Sequence, residues 1–257
     1  MKFIRAYWGN LENFGGRHKI EIRRASKNKK LNEVVFVWGN ENCDYLKSLG
    51  FDIIKMSDKS SEYGEDYFIN SDTFLLHKLV AVREGCKKYG EVVFLDWDCR
   101  QIKDIDDNFY LKLREQDNEI QMPAYSFPKK YKSLLQTMYN PKDINWDYID
   151  RQLEYLEKFH YEWDDSYVTP NASFIYCTNP KVMDDLIKIN DELKIGIVCD
   201  EMTFNEYSKK LCKDLEGYIK RFEPLVCNAK REDHFNQGRL NQYISKFIKK
   251  DLYFIHE

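Results

Sequence analysis

The sequence predicts an α/β fold with a mainly parallel central sheet flanked by helices and a mixed C-terminal half. Three observations lead there. Short β-branched and aromatic runs recur through the first hundred residues, and segments of helical periodicity separate them. The strongest run, Glu91–Leu95 (EVVFL), is close to continuously apolar, as in a strand covered on both faces. Strands separated by helices imply parallel pairing through crossovers.

Taken in order, Lys2–Tyr7 is the first predicted strand and runs into Trp8-Gly9-Asn10, with a helix following near Arg17–Ser26. Val34–Trp38 is the second strand, and it too ends in Gly39-Asn40, an echo too short to be a repeat. Glu41–Leu49 reads as a helix stopped by Gly50, and Phe51–Met56 as a third strand. The clearest helix has Ser71 or Asp72 as its cap. Its apolar face is Leu75, Leu76, Leu79, Val80, Val82 and Cys86, with Lys87 and Lys88 in the last turn and Gly90 as terminator. Beyond the EVVFL strand the spacing predicts a helix over Asp104–Glu115, a strand over Ile120–Ala124 and a helix over Asp147–His160. A strand at Asn171–Cys177 and a helix near Val182–Ile189 opened by Pro180 come next. A helix over Glu201–Leu211, a strand at Tyr218–Phe222, a helix over Arg239–Ile248 and a strand at Leu252–Ile255 complete the chain. The expectation is one domain, residues 1–257, whose halves meet near residue 105 and share a sheet.

Composition narrows the function classes. With 43% hydrophobic and 15% aromatic residues the 257-residue chain can build a sizeable core. Forty Lys+Arg against 43 Asp+Glu give a net charge of -3, which argues against a dedicated duplex-DNA binder. Eighteen Tyr and 16 Phe with only 11 Gly and 6 Pro argue against disorder. No apolar run suits a signal peptide or a bilayer span. Seven cysteines (43, 86, 99, 177, 199, 212, 227) lack any CxxC or metal-finger spacing, so they read as free thiols in a reducing compartment. The expectation is a soluble, cytoplasmic protein with no nucleic-acid partner and no membrane span.

The chemistry concentrates in Val92-Val93-Phe94-Leu95-Asp96-Trp97-Asp98. Unpaired carboxylates are costly in the middle of a buried strand but easily placed at its C-terminal end, where ligands bind in open α/β sheets. If the strand continues, alternation points Asp96 and Asp98 to one face and Trp97 to the other. Two converging carboxylates make a hard-oxygen site suited to Mg²⁺ or Mn²⁺, shared with a substrate diphosphate. The plainer reading is an ordinary strand end followed by an acidic loop.

The run LLHKLVAVREGCKKYG followed by EVVFLDWDC resembles the Asp-x-Asp region of nucleotide-sugar glycosyltransferases of the GT-A fold, over roughly residues 1–110 in element order. Asp233-His234-Phe235-Asn236-Gln237-Gly238-Arg239 is similar to the His-Phe-x-x-Gly segment of glycogenin-like and related retaining members. The resemblance implies a metal-dependent enzyme of the hexosyltransferase type. It would take a UDP- or GDP-sugar as donor and a glycan, protein or small-molecule hydroxyl as acceptor. It implies Asp98 as a direct Mn²⁺ or Mg²⁺ ligand, Asp96 on the ribose or the metal, and His234 as a third ligand. Arg239 directly follows Gly238, whereas the family pattern places a Lys a few residues on, a departure that bears on the diphosphate contact. Lys78 becomes a candidate donor contact, beside the plainer reading of a solvated helix face. Tyr7, Trp8 and Gly9 sit where these enzymes hold the nucleobase, beside a packing role for the two rings. Asn171-Ala172-Ser173-Phe174 resembles the small-residue acceptor segment of these enzymes, and Cys199-Asp200-Glu201-Met202-Thr203-Phe204-Asn205 the Asp-Glu-x-x-x-Asn stretch that follows it. Asp200, with Glu201 close behind, would act as base in an inverting transfer or orient substrate in a retaining one, beside a helix-capping role.

Three rivals stand. A haloacid-dehalogenase-type phosphohydrolase also ends an apolar strand in Asp-x-Asp, but near its N-terminus, and here Arg100 replaces the small residue expected after Asp98-Cys99. A nucleotidyltransferase would carry a Gly-rich basic loop after the first strand, of which Gly15-Gly16-Arg17 is a faint version. A degenerate transferase that only binds carbohydrate would keep the core strands without metal dependence.

Overall fold

The computed structural model describes residues 1–8, 16–28, 31–57, 74–114, 119–129, 161–163, 166–193, 226–228 and 252–256, with isolated positions between them. In chain order the elements are β1 (Lys2–Tyr7), α1 (Gly16–Ser26), β2 (Val34–Val37), α2 (Asn40–Ser48), β3 (Asp52–Lys55), α3 (Phe74–Tyr89), β4 (Val92–Leu95), β5 (Cys99–Gln101), α4 (Asp107–Arg114), β6 (Ile120–Gln121), β7 (Ala124–Pro128), β8 (Tyr161–Trp163), β9 (Ser166–Pro170), β10 (Phe174–Cys177), α5 (Pro180–Leu193), β11 (Val226–Asn228) and β12 (Phe254–His256). The chain divides into two compact units, residues 1–100 with 173–198, and residues 101–172 with 199–257.

In the first unit the strand order is β3-β2-β1-β4-β10. β1 pairs in parallel with β2 (Ile4 opposite Val34, Tyr7 opposite Val37) and with β4 (Lys2 opposite Val92, Ile4 opposite Phe94). β3 extends the parallel set beside β2, and β10 closes it antiparallel to β4, Phe174 lying opposite Leu95. The fold is thus the expected α/β type with a mainly parallel sheet. Residues 173–198 join the first hundred because β10 pairs with β4.

Alternation along the strands explains how helices cover both faces. Val35, Val37 and Tyr7 cluster with Ile22 of α1 and with Cys43 and Leu46 of α2. The opposite face, carrying Ile4, Phe36 and Val92, receives α3. Gly85 makes that approach close: a methyl there would lie 2.9 Å from Ile4 Cδ1 and 3.2 Å from Val92 Cγ1. At its end α3 stops at Gly90, whose φ of 77° suits a residue without Cβ and whose N–H bonds the Cys86 carbonyl at 2.8 Å. α5 packs on α3, with Arg83 Nη1 3.1 Å from Asp184 Oδ1.

In the second unit β7 and β8 both pair antiparallel with β9. β11 and β12 are parallel, Val226 opposite Phe254. Phe109 and Leu113 give α4 its buried face, and Asp106 caps it by accepting the Phe109 N–H at 3.0 Å. The single strand expected over 120–124 is instead β6 and β7, because Pro123 between them has no N–H to offer a ladder. β8 and β9 are strands that the sequence reading did not contain. The expected helices over 201–211 and 239–248 and the strand 218–222 lie outside the described residues, apart from positions 204 and 207. Among the described residues no helix is long and apolar enough to cross a membrane. Cys43, Cys86, Cys99 and Cys177 are buried free thiols.

Candidate functional site

The strand order places a switch point between β1 and β4. From β1 the chain winds outward through β2 and β3, then returns through α3 to β4 on the other side. In open α/β sheets ligands bind at the carboxyl ends of the strands where the order reverses. Here those ends carry Tyr7 and Trp8 from β1 and the Asp96–Asp98 segment from β4.

β4 ends at Leu95. The Asp96 N–H still bonds the Ser173 carbonyl beyond the end of β10 at 2.8 Å, but the Asp96 carbonyl accepts the Cys99 N–H at 2.9 Å, closing a four-residue turn. This corrects the expected strand alternation: Asp96 and Asp98 belong to a turn. Trp97 pins that turn to β1. The Ala6 carbonyl lies where β4 no longer pairs, and the Trp97 indole N–H donates to it at 2.9 Å. The indole meets Tyr7 and Phe51 edge-on at 6.1 and 5.6 Å between ring centres.

Lys78 reaches this turn from α3. Its Nζ donates to Asp96 Oδ2 at 3.0 Å and stands 5.5 Å from the centre of the Phe94 ring. Lys78 is only 4% exposed, so the solvated-face reading is corrected. Its stem lies against the sheet and its ammonium sits at the sheet edge. The neighbouring His77 is buried, stacked on Trp8 at 5.0 Å with a 7° tilt and edge-on to Trp38 at 4.9 Å. Tyr7 is 3% exposed and belongs to the core cluster, which is the packing role. Burial, and then Tyr45, push its phenol up to about 12.

One further residue contacts the turn, and a second holds it. Arg5 of β1 donates to the Asp96 carbonyl through Nη1 in a short hydrogen bond, and its Nε and Nη2 donate to Glu33. Sequence reasoning passed over both. The available signal was one arginine inside an otherwise apolar and aromatic run, FIRAY, and one glutamate directly before VVFV. Burial opposes the charge of Arg5, but the Glu33 carboxylate outweighs it and the pKa is raised. Cys99, fully buried in the same turn, is pushed well above the ordinary thiol range by desolvation, against the opposing effect of Arg5. It is a packed thiol.

Asp96 and Asp98 are both partly exposed, and their carboxylates supply the hard oxygens that suit Mg²⁺ or Mn²⁺. Among the described residues no three His, Cys, Asp or Glu side chains converge as a metal cluster. Gly9, Asp200, Glu201, His234 and Arg239 lie outside the described residues. The described structure therefore gathers Trp8, Lys78, Asp96 and Asp98 at the ends of β1 and β4 and the face of α3 beside them.

No family model and no curated protein matches this chain. Solved structures similar to it include mouse xyloside xylosyltransferase 1 in its apo form, 10% identical, covering 100% of this chain and 96% of that one with a TM-score of 0.48. The apo glycosyltransferase GlyE of Streptococcus pneumoniae is 15% identical, covering 100% of this chain and 54% of that one at 0.45. The galactosyltransferase LgtC, in complex with donor and acceptor sugar analogues, is 14% identical, covering 80% of this chain and 70% of that one at 0.44. Identities this low leave the site's own residues to carry the chemistry.

Proposed function

We propose that this protein is a metal-dependent glycosyltransferase that moves a sugar from a nucleoside-diphosphate sugar to a hydroxyl acceptor. The observation that carries the reading is the acidic turn at the switch point: two carboxylates two residues apart, beyond a buried parallel strand, with a buried lysine ammonium on the first. Such a turn offers anionic oxygens to a cation and an ammonium to a phosphate within one small volume. The sequence resemblance assigns the same residues the same task.

In this reading Asp96 and Asp98 hold Mn²⁺ or Mg²⁺, with His234 as a third ligand. The bound metal supplies Lewis-acid neutralisation of the leaving diphosphate. Lys78 and Arg239 bind diphosphate oxygens, so charge on the departing group meets fixed donors. Trp8 and the backbone beside Gly9 hold the base. Trp8 stacks on His77, so the protein already takes one face of its ring. Asp200 or Glu201 receives or orients the acceptor hydroxyl. Acceptor choice is assigned to the second half of the sequence, including the aromatic-rich segment 125–163, whose Tyr and Trp residues are the candidate sugar platforms.

A thermal-shift series with UDP and GDP, with and without Mn²⁺, tests the reading. Stabilisation that requires metal and nucleotide together is expected. A screen of nucleotide sugars for hydrolysis then identifies base and sugar, with Asp98→Ala as the inactive control. Response to no nucleoside diphosphate would leave a carbohydrate-binding protein instead. Release of phosphate from a generic phosphomonoester would indicate a hydrolase, and release of pyrophosphate from a nucleoside triphosphate a nucleotidyltransferase.

A further inference from the structure

We infer that the buried Arg5–Glu33 pair is a positioning device for the acidic turn, an inference that rests on the transferase reading only for what the turn is used for. The two side chains are 3% and 4% exposed, so neither touches a ligand at the sheet edge. Glu33 holds one edge of the guanidinium through two hydrogen bonds, Nε to Oε2 at 3.0 Å and Nη2 to Oε1 at 2.8 Å. That fork fixes the plane of the group and leaves Nη1 aimed at the Asp96 carbonyl. The same carbonyl accepts the Cys99 N–H that closes the turn. The guanidinium carbon also lies 5.1 Å from the centre of the Trp97 ring, the middle residue of the Asp-Trp-Asp triplet.

An apolar pair would fill this space without desolvating two charges, and such replacements are often neutral or stabilising. What an apolar pair cannot do is hold a carbonyl one residue past the end of a strand. A Lys at position 5 could face Glu33 with its charge, but a single ammonium cannot span both oxygens of Glu33 and the Asp96 carbonyl together. The pair therefore fixes from β1 and β2 the direction in which β4 presents Asp96 and Asp98.

The test uses the full chain with both charges removed, Arg5→Met combined with Glu33→Leu. Amide hydrogen exchange is followed by NMR, and Mn²⁺ affinity in the presence of UDP or GDP by the electron paramagnetic resonance of free Mn²⁺. A purely structural pair predicts protection that changes by one common factor, if at all, at Cys99, Val93 and Phe94. The positioning role predicts that Cys99 N–H protection falls about tenfold or more, the scale of a lost charged hydrogen bond, while Val93 and Phe94 keep theirs. Mn²⁺ affinity falls with it. Arg5→Lys, which keeps a cation beside Glu33, gives the same reading by a second route. Cys99 protection equal to wild type in both variants, or falling only in step with Val93 and Phe94, overturns the inference. The exchange experiment needs no ligand, so a wild type that takes neither Mn²⁺ nor nucleotide would overturn the transferase reading without touching this result.

Discussion

Lys78 Nζ sits 3.0 Å from Asp96 Oδ2, joining the helix α3 to the end of the strand that follows it across 18 residues of sequence. A buried ammonium beside a carboxylate lowers that carboxylate's attraction for a second cation while offering itself to an anion. Lys78→Met keeps the length and apolar character of the stem. The variant is expected to bind Mn²⁺ alone more tightly than wild type and to bind the nucleoside diphosphate about tenfold more weakly, the scale of one charge-assisted hydrogen bond. Isothermal titration of each ligand separately checks the opposite signs. Weakening of both together would show that Lys78 only holds the fold.

The two aspartates are expected to separate stability from binding. Asp98→Ala removes a partly exposed carboxylate and should abolish metal-dependent stabilisation by nucleotide with little change in the unliganded melting temperature. Asp96→Ala should abolish the same stabilisation and also strand the Lys78 ammonium, whose side chain is 6% exposed. Since Asp96 itself is 30% exposed, the full cost of a broken buried pair is discounted to about 1–3 kcal/mol. Urea unfolding of the two metal-free variants measures the difference, and equal stabilities would refute it.

How much of this was legible in the sequence follows from the range of each interaction. The strands β1, β2 and β4 and the helix α3 were readable because burial on a repeating lattice writes itself as local periodicity. The position of Asp96 at the carboxyl end of β4 followed from the same reasoning. The turn after Leu95 was not readable, because it depends on the Trp97 indole finding the Ala6 carbonyl 91 residues earlier in the chain. Lys78 looked like a solvated residue because its only mark in the sequence is a charge on a helix. Its partner is fixed by how α3 lies on the sheet, which Gly85 permits and no local pattern announces. Arg5 and Glu33 were passed over for a related reason: each is a single charge at an apolar run, and only the parallel register of β1 and β2 brings them together.

Tyr7 supplies a prediction for the alkaline range. Its hydroxyl is buried and has no hydrogen-bond partner among the described residues. Burial raises its pKa from 10.0 to about 12. A folded-state pKa above the unfolded value means the stabilisation is complete below pH 10.0 and is lost as pH rises toward about 12, since the unfolded phenol ionises first. That loss amounts to roughly 2–3 kcal/mol. Tyr7→Phe keeps the ring and removes the unsatisfied hydroxyl, so it should be neutral or stabilising by about 1 kcal/mol at pH 7 and should flatten the decline above pH 10. Denaturant midpoints measured across that range check it. Because Tyr7 packs in the core, nucleotide affinity should not change, and a large loss of affinity would return this residue to the base site.

Among the described residues of the second unit, Asp106 contributes to the acid limb. The Tyr253 hydroxyl donates to its Oδ1 at 2.6 Å, and the Phe109 N–H donates to the same oxygen at 3.0 Å as the cap of α4. The Tyr253 hydrogen bond and then the backbone bond hold the carboxyl below its ordinary 3.8 against desolvation, with a lesser contribution from Lys103. A lowered folded-state pKa gives stability that is present above 3.8 and disappears as pH falls through the folded value, where the carboxylate takes up its proton. Tyr253→Phe removes the largest of these donors but leaves the cap. The Asp106 pKa, followed by carboxyl-carbon NMR, should therefore rise toward 3.8 without reaching it. The variant should be less stable than wild type at neutral pH, and the gap should narrow as the pH drops through the folded-state pKa. An Asp106 titration identical in the two proteins would show that the hydroxyl packs against the carboxylate without stabilising its charge.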